Sequence, residues 1–150
     1  MPVPPETMRL VHLVFLSLWG GMVLAEAVVE LAPLRLPALA QPAAIFHYYI
    51  DLYVEIPLLA LVVFTGVVNL FLVPFSALLL IKLLAVAPAV CAQVVCLVLV
   101  VRRHRQAGTD GAGIAGLHRK IIWCALFGVP FALAAAALGL IISAKLMAGA

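Results

Sequence analysis

The chain has 150 residues, of which 67% are hydrophobic and only 10% are charged. The apolar share of soluble domains is nearer one half, so a mean hydropathy of +1.29 indicates an integral membrane protein that has the lipid bilayer as its partner. The net charge of +3 is small and concentrated in one connection, which argues against nucleic-acid binding.

Four apolar stretches are long enough for transmembrane helices, which need about 20 residues each. The spans are predicted at residues 8–30, 46–73, 76–101 and 117–147. Residues 74–76 permit only a tight turn, so the second and third spans are predicted to be antiparallel. The expected fold is all-α, with residues 1–150 forming a single domain: an integral membrane four-helix bundle of antiparallel up-down topology.

The two longer connections predict the orientation of the chain. Prolines at 33, 37 and 42 are expected to break any helix between Leu31 and Ala44. The connection at residues 102–116 carries most of the basic side chains, and the positive-inside rule therefore places it in the cytoplasm. Both termini would then lie on the outer, periplasmic side of a membrane that we expect to be a bacterial inner membrane.

The polar side chains within the spans follow one stripe per helix. At about 100° per residue, spacings of four and seven residues keep side chains on one helical face. Because lipid would not solvate such stripes, they are predicted to face the bundle interior. The stripes are His12, Trp19, Glu26 and Glu30 in the first span; His47, Asp51, Glu55, Thr65 and Asn69 in the second; Lys82, Gln93 and Cys96 in the third; and His118, Ala125, Ala132, Ala136 and Ser143 in the fourth.

Carboxylates and imidazoles gather in an inner layer toward the cytoplasmic end of the spans. Helical bundles hold metals with side chains of these types projecting inward together. A salt-bridge network with arginines at 35, 102, 103 and 119 would also account for the layer, and so would a path for protons or a substrate. The predicted metal ligands are Glu26, Glu30, His47, Asp51, Glu55 and His118.

An outer layer contains His12, with Trp19 one stripe step away, and Lys82. A helical histidine beside an aromatic ring and Gly20–Gly21 suits an axial ligand of a flat cofactor such as haem. The alternatives are an interfacial histidine and a lysine that extends toward the membrane surface.

Three short motifs resemble the CopD-like and HemJ-like families of small membrane proteins. His12 followed by Trp19-Gly20-Gly21 is similar to their first helix, residues 79–84 (Leu-Leu-Ile-Lys-Leu-Leu) resemble the lysine-bearing third helix of HemJ-type protoporphyrinogen oxidases, and Pro57 with Thr65-Gly66 is similar to their second helix. The resemblance implies a haem b with His12 and Trp19 in its binding site, and Lys82 as a catalytic residue at the porphyrin.

Two classes of function follow from these observations. The first is a membrane-embedded protein that binds haem or a transition metal, with a haem-linked oxidoreductase as the form it would take if it is an enzyme. The second is a transporter or chaperone for copper or another metal ion such as iron or zinc. A non-catalytic accessory subunit of a larger membrane complex is a further alternative, and a homo-oligomer is compatible with each of them.

Overall fold

The computed structural model describes residues 4–106 and 111–148, which contain helices and no strand. A 3-10 turn at Pro37–Leu39 precedes α2 (Ala40–Ile50), and a π-helical turn at Asp51–Glu55 joins α2 to α3 (Ile56–Leu72) without a break. Four helical segments are therefore long and apolar enough to cross a membrane, which confirms the all-α prediction with four spans. The helices are α1 (Pro5–Arg35), α2 (Ala40–Ile50), α3 (Ile56–Leu72), α4 (Ala77–Gln106) and α5 (Gly111–Ala148).

The helices extend beyond the predicted spans, and the predicted break between Leu31 and Ala44 is confirmed but is confined to residues 36–39. α1 continues through Pro33 to Arg35, and only Leu36 lies outside a helical turn. Pro37 begins the 3-10 turn and Pro42 lies in the first turn of α2, where backbone N–H groups have no intrahelical acceptor to lose. α4 likewise runs five residues past the predicted end at Val101, to Gln106.

The first of two compact units comprises Met1–Pro74 and Arg103–Ala115. Within it, α1 pairs with the second span in antiparallel fashion: Met8 lies opposite Asn69 and Glu30 lies opposite His47. Almost all of the buried side chains that the structure describes in this unit are polar or charged, and the apolar exceptions are Ala43 and Ala44. The apolar side chains instead cover its exterior, as lipid requires.

The second unit comprises Phe75–Arg102 and Gly116–Ala150. Its α4 and α5 approach closely where a Cβ added to Gly128 would lie 2.8 Å from Ala92 Cβ, and where the Cys124 thiol donates to the Ala92 carbonyl oxygen at 3.1 Å. The predicted small-residue stripe of α5 is displaced from this contact face, since Ala125 is exposed whereas Gly128 and Ala135 are buried. The described buried side chains of this unit are apolar.

Candidate metal centre

Apart from Thr65, the buried polar side chains that the structure describes in the first unit form one cluster around His47. We call this set the acidic cluster. The exposed fractions of its side chains are between 1% and 6% of each residue's surface, although five of the six are ionisable carboxyl or guanidinium groups. Its members are Glu26, Glu30, His47, Asp51, Glu55 and Arg103.

Arg103 binds Glu30 through both of its terminal nitrogens. Nη1 donates to Glu30 Oε2 at 2.7 Å and Nη2 donates to Oε1 at 2.5 Å. This two-point pairing fixes the plane of the carboxylate as well as its position. Glu30 in turn accepts a hydrogen bond from His47 Nδ1, which also lies 3.1 Å from Arg103 Nη2.

Because Nδ1 of His47 is engaged by Glu30, the opposite ring nitrogen points at two further carboxylates. His47 Nε2 lies 3.0 Å from Asp51 Oδ1 and 3.8 Å from Glu26 Oε2. One ligand atom from each of Glu26, His47 and Asp51 lies within 4.8 Å of the others. Atoms bound to one ion at about 2.0–2.2 Å are separated by distances of this order, so the three residues fit a shared metal ion.

Two carboxylate oxygens in this triad have neither a hydrogen-bond donor nor an ion-pair contact with His47. Glu26 Oε1 and Asp51 Oδ2 are buried and lack a hydrogen-bond partner among residues 4–106 and 111–148. Buried polar atoms are nearly always satisfied by hydrogen bonds, ordered water or bound ions. Asp51 is only 1% exposed and lies beside the Glu26 and Glu55 carboxyl groups, so its orphaned oxygen requires a cation, water or a proton shared with one of them.

Glu55 extends the cluster by one turn along the second span. Its Oε1 accepts a hydrogen bond from Trp19 Nε1 at 3.1 Å, and its carboxylate interacts electrostatically with Asp51 and His47. The π turn that carries Asp51 and Glu55 ends just before Pro57, which lacks an N–H and would crowd the Tyr53 carbonyl in a regular helix. π turns inside helices are frequent at functional sites.

The total charge of the cluster is unbalanced. The cluster contains four carboxyl groups and one guanidinium, so its formal charge with every carboxyl ionised is −3 when His47 is neutral and −2 when it is protonated. Burying such an excess at membrane depth costs several kcal/mol per ion unless compensating charge is present. Of the arginines considered in the salt-bridge alternative, Arg103 pairs with the cluster, whereas Arg35 and Arg102 are exposed.

Of the remaining predicted site residues, two belong to the first unit and two to the second. His12 Nδ1 lies 2.9 Å from Thr65 Oγ1, and Trp19 contacts the acidic cluster through Glu55. His118 and Lys82 belong to the second unit, where Lys82 Nζ lies 3.1 Å from the position of a Cβ added to Gly139. Haem binding by His12 and Trp19, and a catalytic role of Lys82, stay predictions.

One aromatic contact beside the cluster was not predicted. The rings of Tyr48 and His104 stack with centroids 3.9 Å apart and an interplanar angle of 6°. The sequence placed His104 in a loop, because the hydropathy falls at Val101 where the helix itself continues.

Comparison with protein families, with curated proteins and with solved structures found no match. The resemblance to the CopD-like and HemJ-like families therefore stays a prediction. The function of the protein is therefore inferred from the geometry of its own residues.

Proposed function

We propose that this integral membrane protein binds a divalent transition-metal ion within its first unit, with Glu26, His47 and Asp51 as ligands. The observation that carries the proposal is the buried, unsatisfied oxygen of Asp51 beside His47 Nε2 and Glu26. A cation at this point would satisfy both orphaned oxygens and reduce the excess negative charge.

The donor set favours particular metals. Two carboxylates and one imidazole suit Zn²⁺, Fe²⁺ or Mn²⁺, whereas Cu⁺ prefers thiolate and thioether sulfur. All three cysteines belong to the second unit. An imidazole also disfavours Mg²⁺ and Ca²⁺, which select oxygen ligands.

Glu30 and Arg103 support this function from outside the ligand set. Metal-binding histidines usually donate their other ring N–H to a carboxylate or carbonyl, which fixes the ring and its tautomer. Glu30 accepts this hydrogen bond from His47 Nδ1, and Arg103 holds Glu30 in place. Nε2 is thereby presented to Asp51 and Glu26.

Zn²⁺ titration of the detergent-purified chain tests the proposal, with Asp51→Asn as the variant. Because loss of an outer-shell partner alone costs about 10–100-fold in affinity, loss of this ligand should cost at least about 100-fold. Glu6→Gln is the matched control, since Glu6 is an exposed carboxylate at the start of α1. It should bind Zn²⁺ as the wild type does.

Two outcomes would contradict the proposal. The first is that the wild type fails to bind Zn²⁺, Fe²⁺ or Mn²⁺ stoichiometrically. The second is that the wild type and Asp51→Asn bind Zn²⁺ with equal affinity. X-ray absorption of the Zn²⁺-loaded protein provides a second readout. It should show nitrogen and oxygen neighbours, and a sulfur neighbour would place the ion elsewhere.

A further inference from the structure

Polar contacts between α1 and the second span lie toward both ends of α1. The acidic cluster occupies one end, and contacts of His12 and Asn69 occupy the other. From Met8 to Glu30 an α-helix rises about 33 Å, which matches the hydrocarbon thickness of a bilayer at about 30 Å. A line that joins the two sets of contacts therefore extends from one side of a membrane to the other.

The end opposite the acidic cluster offers its own ligands for a cation. Thr65 donates its hydroxyl proton to the Leu61 carbonyl oxygen at 2.7 Å, so its oxygen accepts from His12 Nδ1 at 2.9 Å. This hydrogen bond makes Nδ1 the protonated nitrogen of a neutral ring and places the lone pair on Nε2. The same arrangement orients histidines that bind metals.

Asn69 contributes a second observation at this end. It lies one helical turn beyond Thr65, and its buried Oδ1 has no hydrogen-bond partner among the residues that the structure describes. Its Nδ2 donates to the Met8 carbonyl oxygen at 3.5 Å, which turns Oδ1 into the remaining acceptor. We call His12, Thr65 and Asn69 the His12 station.

An apolar interval separates the His12 station from the acidic cluster. It covers about 10 Å of α1 between His12 and Trp19, and about 15 Å of the second span between Glu55 and Thr65. Ser17 is its polar side chain, and this residue is exposed and donates to the Leu13 carbonyl oxygen. Apolar constrictions between polar sites act as barriers that open only when they hydrate.

We propose that the protein transports the divalent ion along this line of contacts, with the His12 station as the second binding point on the route. The inference rests on the proposed metal binding at the acidic cluster. Two polar sites at opposite membrane depths, separated by an apolar barrier, provide what an ion needs to cross in two steps. A storage or structural site would need the acidic cluster alone.

Zn²⁺ entry into proteoliposomes that contain a Zn²⁺-sensitive dye tests this proposal. Wild-type protein should give saturable entry, and His12→Gln should lower the rate about tenfold or more while Zn²⁺ affinity stays within about twofold of wild type. Thr65→Val keeps the side-chain shape and should also lower the rate of Zn²⁺ entry. Ser17→Ala, on the exposed side of α1, is the control and should leave entry unchanged.

The outcomes separate this proposal from the binding on which it rests. Zn²⁺ binding without entry above that of empty liposomes would overturn transport and leave the binding site intact. Entry by His12→Gln and Thr65→Val at the wild-type rate would remove the His12 station from the route. Absence of Zn²⁺ binding would overturn both proposals, and a Soret band lost in His12→Gln would assign His12 to haem instead.

Discussion

Arg103 is the residue on which the geometry of the acidic cluster depends most. It is 1% exposed and supplies the guanidinium of a cluster that contains four carboxyl groups. Its two hydrogen bonds hold Glu30, which in turn holds His47. The orientation of the proposed metal ligand therefore depends on a residue 73 positions away from Glu30 in the chain.

Replacing Arg103 by methionine should destabilise the protein strongly. The change leaves the buried Glu30 carboxylate without its guanidinium, and breaking a buried pair in this way costs about 3–5 kcal/mol. Arg102→Met is the matched control, because Arg102 is the adjacent arginine and is exposed. Its effect on the free energy of unfolding should stay within about 0.5 kcal/mol.

Chemical denaturation in detergent micelles measures both variants. Equal stabilities of Arg103→Met and Arg102→Met would contradict the importance assigned to the buried pair. A double variant, Glu30→Gln with Arg103→Met, should recover part of the loss because no buried carboxylate is then left behind.

The residues of the cluster differ in how far they could be predicted. Spacings of four along the second span place His47, Asp51 and Glu55 on one face, and in the structure His47 contacts Glu26 and Glu30 of α1 while Glu55 contacts Trp19. Choosing Arg103 among several arginines was not possible from sequence, because hydropathy falls at Val101 although the helix continues. The hydrogen bond of Trp19 to Glu55 also needed the actual packing of the two helices.

At the level of elements, the π turn at Asp51–Glu55 explains how the second span accommodates Pro57. The Ile56 N–H donates to the Asp51 carbonyl oxygen, five residues earlier, instead of to the oxygen four residues earlier. The sequence predicted a helical span over residues 46–73, but a proline within an apolar span does not specify the type of turn that accommodates it.

The close approach of α4 and α5 can be tested by a substitution at Gly128. Gly128→Ala would place a methyl group 2.8 Å from Ala92 Cβ, closer than carbon atoms approach without displacement. Overpacking of this kind costs about 1–3 kcal/mol, so the variant should unfold at a lower temperature.

Gly21→Ala is the control for this substitution. A Cβ at Gly21 meets no atom within 4 Å, and alanine is the better helix former by about 1 kcal/mol. Its thermal stability in detergent should equal or exceed that of the wild type. A Gly128→Ala variant as stable as Gly21→Ala would contradict the close approach of the two helices.

Across the whole molecule, acidic side chains are distributed unevenly. Five of the six acidic residues precede residue 56, and Asp110 is the sixth. Composition and hydropathy were sufficient to predict four helices, because lipid imposes helical structure on any apolar span of that length. They could not define the two compact units, which depend on packing between particular helices.

Orientation in the membrane is also a property of the whole chain. The positive-inside rule predicts that Glu6 faces the outside and Gln106 the cytoplasm. In a background without Cys91, Cys96 and Cys124, an impermeant thiol reagent applied to intact cells should label Glu6→Cys. It should label Gln106→Cys only after the membrane is permeabilised, and the reverse pattern would invert the predicted topology.

The pairing of Glu30 with Arg103 also sets an order of events during biosynthesis. Acidic groups oppose insertion of an isolated helix by up to about 2.5–3.5 kcal/mol each at the membrane centre, so α1 gains from a partner as soon as it leaves the ribosome. Arg103 is synthesised 73 residues after Glu30. At about 5–20 residues per second, the nascent α1 and second span must coexist for roughly 4–15 seconds before their arginine is made. For that interval the growing chain depends on the insertion machinery, or on captured cations, to shelter Glu30 from lipid.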